Sequence, residues 1–205
     1  MIFQECDCEF CSKGLQKVIF PIFLNGHVEY WLDIPKNAST SIKYKFKLEG
    51  LPPLHREIYP VMAANGTKPY AIWRDPMERF VSLLNHYLTR SGPYGRFNRG
   101  QKLFASMGLD IEGIPIQQRV HILMNNLEKL TGFHFVHHWF PQTYWLPEEF
   151  TKFNWVAMED VTEVFGIGNT NPGSGKITED MLSEYHREFI HEIYQDDFEY
   201  FKDMK

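Results

Sequence analysis

Twice in the first half of the chain a short apolar run feeds, through a polar turn, straight into a helix start. This repeated strand-to-helix step constrains the fold more than any other feature. The first run, Val28–Ile34, ends in Pro35-Lys36-Asn37-Ala38-Ser39-Thr40-Ser41, and a helix is expected to follow through Leu48 with Ser39 or Thr40 as its cap. The second, Tyr70–Arg74, ends in Asp75-Pro76-Met77-Glu78. There Asp75 suits the N-cap, Pro76 the first helical position and Glu78 the far side of a capping box. Before the first run, Val18–Leu24 and His27–Ile34 flank Asn25-Gly26, the dipeptide that most readily turns a hairpin, and Pro21 places the leading strand at a sheet edge. Trp155–Met158 reads as a further strand. Strands alternating with helices predict an α/β domain with a mainly parallel sheet covered on both faces.

Helical spacing fills in the rest. Met77, Val81, Leu84 and Leu88 form one stripe, and Arg79, Ser82 and His86 form another on the same helix. Ile116, Val120, Leu123, Leu127 and Leu130 mark an amphipathic helix ending at Gly132, and Leu182, Tyr185, Phe189 and Ile193 mark a closing one. With 205 residues, 43% apolar and 23% charged, the chain suits a single domain over 1–205, residues 1–17 being a cysteine-bearing extension. The formal charge of −5 argues against a nucleic-acid partner, which asks for a basic surface. The longest apolar run, Val18–Leu24, holds Pro21 and is too short to cross a bilayer. The first ten residues lack the pattern of a signal peptide, so a soluble, cytoplasmic protein is expected. Cys6, Cys8 and Cys11 are too clustered for a disulfide framework and lack the spacing of a common zinc finger; reduced thiols are the plain reading, and no metal is expected.

The chemistry concentrates at the two turns. A helix start presents backbone N–H groups and the positive end of the helix dipole, which favour an anion. Around the first, Lys36 adds a positive charge, Pro35 and Asn37 to Ser41 the turn backbone, and Ser39, Thr40 and Ser41 hydroxyl donors. The Walker pattern is absent: Gly173-Ser174-Gly175-Lys176 lacks the Gly four places earlier and the Ser/Thr after Lys176. Arg74 makes a second anion site with Ser82, a guanidinium fork suiting a phosphate dianion. Taken alone, Arg74-Asp75 reads as a local ion pair beside a cap. Two strand-end anion sites in one small acidic domain point instead to a ligand carrying two separated phosphates.

Ile34-Pro35-Lys36-Asn37-Ala38-Ser39-Thr40-Ser41 resembles the 5′-phosphosulfate loop of the Golgi-type carbohydrate sulfotransferases, and Trp73–Ser82 resembles their 3′-phosphate motif with the Arg-to-Ser spacing kept. His138-Trp139-Phe140-Pro141-Gln142, Trp155–Val161 and Tyr194-Gln195-Asp196-Asp197-Phe198 are similar to later family segments, in the family's order. The resemblance implies a P-loop-NTPase-like fold with a central, mainly parallel sheet flanked by helices. It also implies 3′-phosphoadenosine 5′-phosphosulfate as donor and a small-molecule or glycan hydroxyl as acceptor. Beside the family's usual form, the domain is expected to lack a preceding membrane anchor and stem and to have its acceptor-shaping inserts trimmed.

Under that resemblance Lys36 and the amides of Asn37 to Ser41 hold the 5′-phosphate and steady the leaving oxygen. His55, between the two anion motifs, is the first candidate for the base, with Glu57 and His138 as alternatives; a solvated loop histidine is the plain reading of His55. For His138, a packed ring donating to a backbone carbonyl is preferred over a base. Arg79 and His86 either meet the nucleotide or face solvent. Trp139, Tyr144 and Trp145 either stack on a sugar or pack in the core. Gly166–Lys176, with Lys176 toward the nucleotide, reads either as a closing loop or as a plain surface loop. Asn65-Gly66-Thr67 fits a glycosylation sequon, which means little without an export signal. Two other classes stay open: a nucleotide-dependent phosphotransferase with an unusual loop, and a non-catalytic nucleotide-binding module of the same fold.

Overall fold

The structure, a computed structural model, describes residues 17–89, 104–105, 108–110, 113–126, 136–167 and 177–204. In chain order the elements are β1 (Ile19–Leu24), β2 (His27–Leu32), α1 (Ser39–Lys45), α2 (Tyr59–Ala64), β3 (Tyr70–Trp73) and α3 (Pro76–Leu88). After them come α4 (Ile116–Met124), β4 (Asn154–Ala157), α5 (Val161–Phe165), α6 (Glu184–Ile193) and α7 (Gln195–Tyr200). The fold is mixed α/β, and the chain divides into two compact units.

The sheet unit comprises residues 15–74 and 142–171. Its four strands lie in the order β1-β2-β3-β4, with β1 antiparallel to β2 and the other pairs parallel. The hairpin forms as the sequence predicts: Asn25 at φ 51° and Gly26 at φ 86° are both left-handed, as a tight type I′ turn requires. Pro21 does fall on the edge strand. On that edge the Ile19 amide donates to the Tyr59 hydroxyl at 3.0 Å and the Ile19 carbonyl accepts from Leu54 at 2.8 Å. One face of the sheet, carrying Phe20, Ile22, Leu24, Trp31, Ile72 and Val156, packs with Ile42 and Leu48 from α1 and its exit and with Val161, Phe165 and Ile167 from α5 and its exit. Each such side chain, fully buried, contributes about 1.5–3 kcal/mol of transfer free energy.

The helical unit draws on residues 75–141 and 172–205. Its centre is α3, where Asp75 Oδ1 accepts from the amides of Met77 at 2.9 Å and Glu78 at 3.2 Å, the expected N-cap. Burial goes well beyond the apolar stripe. Phe80, Leu83 and Tyr87 are buried as well, and so are Arg79 and His86, which corrects the solvent-facing reading of those two. Arg79 Nη2 donates to the His138 carbonyl at 3.2 Å, and Tyr194 donates to the Trp139 carbonyl at 2.6 Å. Burial pushes the Tyr194 phenol above its ordinary value.

Several boundaries differ from expectation: β2 ends at Leu32, two residues before Ile34, and β4 begins and ends one residue before Trp155–Met158. Helix α1 stops at Lys45 because Lys47 turns left-handed at φ 54°, so Leu48 lies beyond it. Helix α4 closes at Met124 with Asn125 as C-cap; Leu127, Leu130 and Gly132 lie outside the described residues. On α6 the buried stripe is His186 and Ile190, while Tyr185 is 67% exposed: the inward face runs one residue later than the aromatic spacing predicts. Among the described residues no helix is long and apolar enough to cross a membrane.

Candidate anion-binding site

The first sequence turn is built on strain. The Asn37 amide donates to the Ile34 carbonyl at 3.2 Å, which closes a β-turn with Pro35 second and Lys36 third. Lys36 has φ 72°, the left-handed value that glycine or asparagine ordinarily supplies at the third position of a type II turn. Ala38 follows at φ 56°, ψ 10°. A non-glycine residue pays roughly 1–2 kcal/mol for that conformation. Two such residues within three persist only where the surroundings over-determine them. Ala38 is itself the N-cap of α1 and makes no side-chain cap, so Ser39 and Thr40 fall inside the helix and do not cap it, contrary to expectation. Their amides are left without an intrahelical acceptor.

Two buried carboxamides hold the turn. Asn37, 1% exposed, donates from Nδ2 to the Ile72 carbonyl at 2.7 Å and to Gln142 Oε1 at 2.6 Å. Gln142, 0% exposed, also accepts from the Arg74 amide at 3.0 Å and donates from Nε2 to the Arg74 carbonyl at 2.8 Å. The backbone of the Lys36 turn and that of Arg74 therefore share one end of the sheet, where parallel strands β2 and β3 finish. Open α/β sheets take their ligands outside the carboxyl ends of the strands. Asp33, buried where β2 ends, is paired with Lys43 at 2.5 Å.

The segment carrying His55 reaches the same end. Asp33 donates to the Val18 carbonyl at 3.0 Å, and Leu54 bonds the carbonyl of Ile19, so Leu54-His55 runs beside the start of β1 where β2 finishes. His55 and Glu57 are both exposed, flanking Arg56, whose Nε pairs with Glu149 at 3.3 Å. Ser41 and Lys36 are half-buried, as are Pro35, Arg74 and, on α3 in the helical unit, Ser82.

Other candidates move. His138 Nδ1 pairs with the Tyr87 hydroxyl at 3.0 Å, so the ring is packed as expected and meets a phenol. Trp139 is 2% exposed and stacks on Tyr87 at 5.6 Å, and Trp145 is 1% exposed, which leaves core packing and removes sugar stacking for both. Tyr144 is half-buried, with Lys17 Nζ 5.6 Å from its ring. Lys176, most of its loop and the three cysteines lie outside the described residues. The residue that sequence reasoning left without a role is Gln142. Only the Pro141-Gln142 segment match marked it; nothing local announces a glutamine whose partners stand 68 and 105 positions away.

No family model, characterised protein or solved structure matches this chain.

Proposed function

We propose that the chain is a sulfotransferase that moves the sulfuryl group of 3′-phosphoadenosine 5′-phosphosulfate to an acceptor hydroxyl on a carbohydrate. The observation that carries this reading is the strained Pro35–Ala38 turn, set at the carboxyl end of β2 and joined through buried carboxamides to Arg74 at the end of β3. A lysine and turn amides on one strand end and a guanidinium on the next fit a ligand with two separated anionic groups. The motif resemblance supplies the identity of that ligand.

When bound, the donor supplies a sulfuryl group whose bond to the bridging oxygen breaks as the acceptor oxygen attacks in line, releasing adenosine 3′,5′-bisphosphate. Lys36 neutralises the charge that collects on the bridging oxygen, where a fixed donor acts more strongly than in the ground state. The amides of Ala38 to Ser41 orient the 5′-phosphate, the Asn37 amide being spent on closing the turn, and Arg74 takes the 3′-phosphate. His55 accepts the acceptor's proton, a contribution of roughly 10²–10⁴-fold for a positioned base, with Glu57 its alternative.

The test is transfer from a sulfur-labelled donor across a panel of glycans, lipids and small alcohols, beside ATP with Mg²⁺ as a competing donor. Label on a glycan hydroxyl is expected. Transfer from ATP instead makes the chain a phosphotransferase, and donor binding without transfer to any acceptor makes it a nucleotide-binding module.

A further inference from the structure

We infer that Gln142 is a positioning residue for the nucleotide: its side chain fixes the spacing between the Lys36 turn and Arg74, so that both grips fit one ligand. The inference rests on the functional reading above and extends it to a residue that touches neither phosphate. Gln142 uses one oxygen for two donors, Asn37 Nδ2 and the Arg74 amide, while its nitrogen serves the Arg74 carbonyl. The Arg74 contacts mimic a β-ladder pair, with both backbone groups of one residue satisfied by one amide. The Asn37 contact passes that constraint to the turn, because Asn37 sits between the two left-handed residues Lys36 and Ala38. Its other bond, to the Ile72 carbonyl, anchors the same side chain two residues upstream of Arg74. Removing the Gln142 carboxamide thus frees the turn and the arginine from each other while leaving the charges of Lys36 and Arg74 in place.

The site is buried, which makes the choice of variant decisive. Gln142→Ala removes all three bonds. Gln142→Glu keeps the acceptor oxygen, and its carboxyl donates to the Arg74 carbonyl only when protonated. The variant should therefore track wild type at low pH and fail as pH rises. A buried carboxylate repels an anionic ligand whatever the role of the residue, so Gln142→Met, which fills the same space without the carboxamide, separates positioning from space-filling.

The experiment titrates adenosine 3′,5′-bisphosphate into wild type, Gln142→Ala, Gln142→Glu, Gln142→Met and the control Asn154→Ala, with amide exchange measured alongside. Asn154 donates to the Lys68 carbonyl at 3.0 Å near the opposite end of the sheet. Gln142→Ala is expected to weaken binding at least tenfold and to raise exchange at Asn37 and Arg74 together, with Asn154→Ala within twofold of wild type. Gln142→Glu is expected to show an affinity ratio to wild type that falls at least tenfold between pH 5 and pH 8. Should Gln142→Ala fail to fold, Gln142→Met decides in its place: binding at least tenfold weaker supports the positioning role, and wild-type affinity overturns it. Wild-type affinity in any Gln142 variant at pH 8, or faster exchange at Arg74 with Asn37 unaffected, overturns the positioning role and leaves the functional reading standing. A wild type that does not bind the bisphosphate overturns that reading first and the positioning role with it.

Discussion

The two strand-to-helix junctions solve one local problem in opposite ways. At Asp75 the chain satisfies itself: a carboxylate accepts the first-turn amides, Pro76 sits at the first helical position, and a helix of 13 residues follows. At Lys36 it does the reverse. Two non-glycine residues adopt left-handed backbone, the N-cap is an alanine with nothing to offer, and the helix runs only 7 residues. The first junction is what stability alone selects. The second gives up roughly 1–2 kcal/mol per strained residue, a cost that persists only where the surroundings over-determine the backbone. The difference teaches where to look for chemistry in a fold of ordinary composition.

Substitutions can sharpen that contrast or break it. The largest effect belongs to Lys36. Lys36→Gly should lower turnover by roughly 10²–10³-fold, the cost of losing one preorganised donor, and yet raise unfolding stability by about 0.5–1 kcal/mol by relieving the left-handed backbone. Labelled-transfer kinetics beside urea unfolding reads both, and a destabilised variant with full turnover erases the contrast. Arg74→Ala should act mainly on binding, raising the bisphosphate dissociation constant roughly 10–100-fold, the 1.4–2.8 kcal/mol expected of a charge-assisted contact. Calorimetry measures it, and unchanged affinity removes Arg74 from the site.

Smaller effects separate the junctions by stability alone. Asp75→Ala should cost about 1 kcal/mol, seen as a melting midpoint lower by about 2–4 °C, and should leave the Lys36 turn unaffected in amide exchange. A cap that costs nothing to remove would make the two junctions alike. The smallest concerns α6, where His186 Nδ1 accepts from the Ser183 amide at 3.4 Å. Burial, and then His121 beside it, hold His186 below its ordinary value. The unfolded chain therefore takes the proton more readily. The stability tied to the neutral ring is complete above the ordinary histidine pKa of about 6.5 and is lost as pH falls toward the lower folded value. Melting at pH 7.5 and 5.5 should show a smaller drop for His186→Gln than for wild type; an equal drop discharges the histidine.

What the sequence made legible was local. Asn25-Gly26 needs only its own backbone preference to turn the hairpin, and Asp75-Pro76 only its own side chain to start α3. Long-range ties stayed hidden. Gln142 and Asn37 are polar residues of a kind that usually faces water, and their burial follows from partners far along the chain. Arg79 and His86 fall on a stripe that reads as solvent-facing by spacing, yet α3 is buried nearly all round because Trp139 and Tyr194 pack against Phe80 from later segments. On α6 the period slips by one because His186, bound into its own capping box with Ser183, takes the inward place that Tyr185 was expected to fill. At the candidate site, spacing gave the residue types and the strand ends. It did not give the strain at Lys36 and Ala38 or the carboxamides that hold it.

The central claim, that the Lys36 turn and Arg74 together grip a nucleotide with phosphates at two positions, is tested most directly by heat denaturation with and without adenosine 3′,5′-bisphosphate, against ADP at the same concentration. At about 100 times its dissociation constant the bisphosphate should add about 2.7 kcal/mol, a midpoint rise of roughly 5–10 °C, with ADP giving a small fraction of that. Equal shifts for the two nucleotides, or none for either, would contradict it.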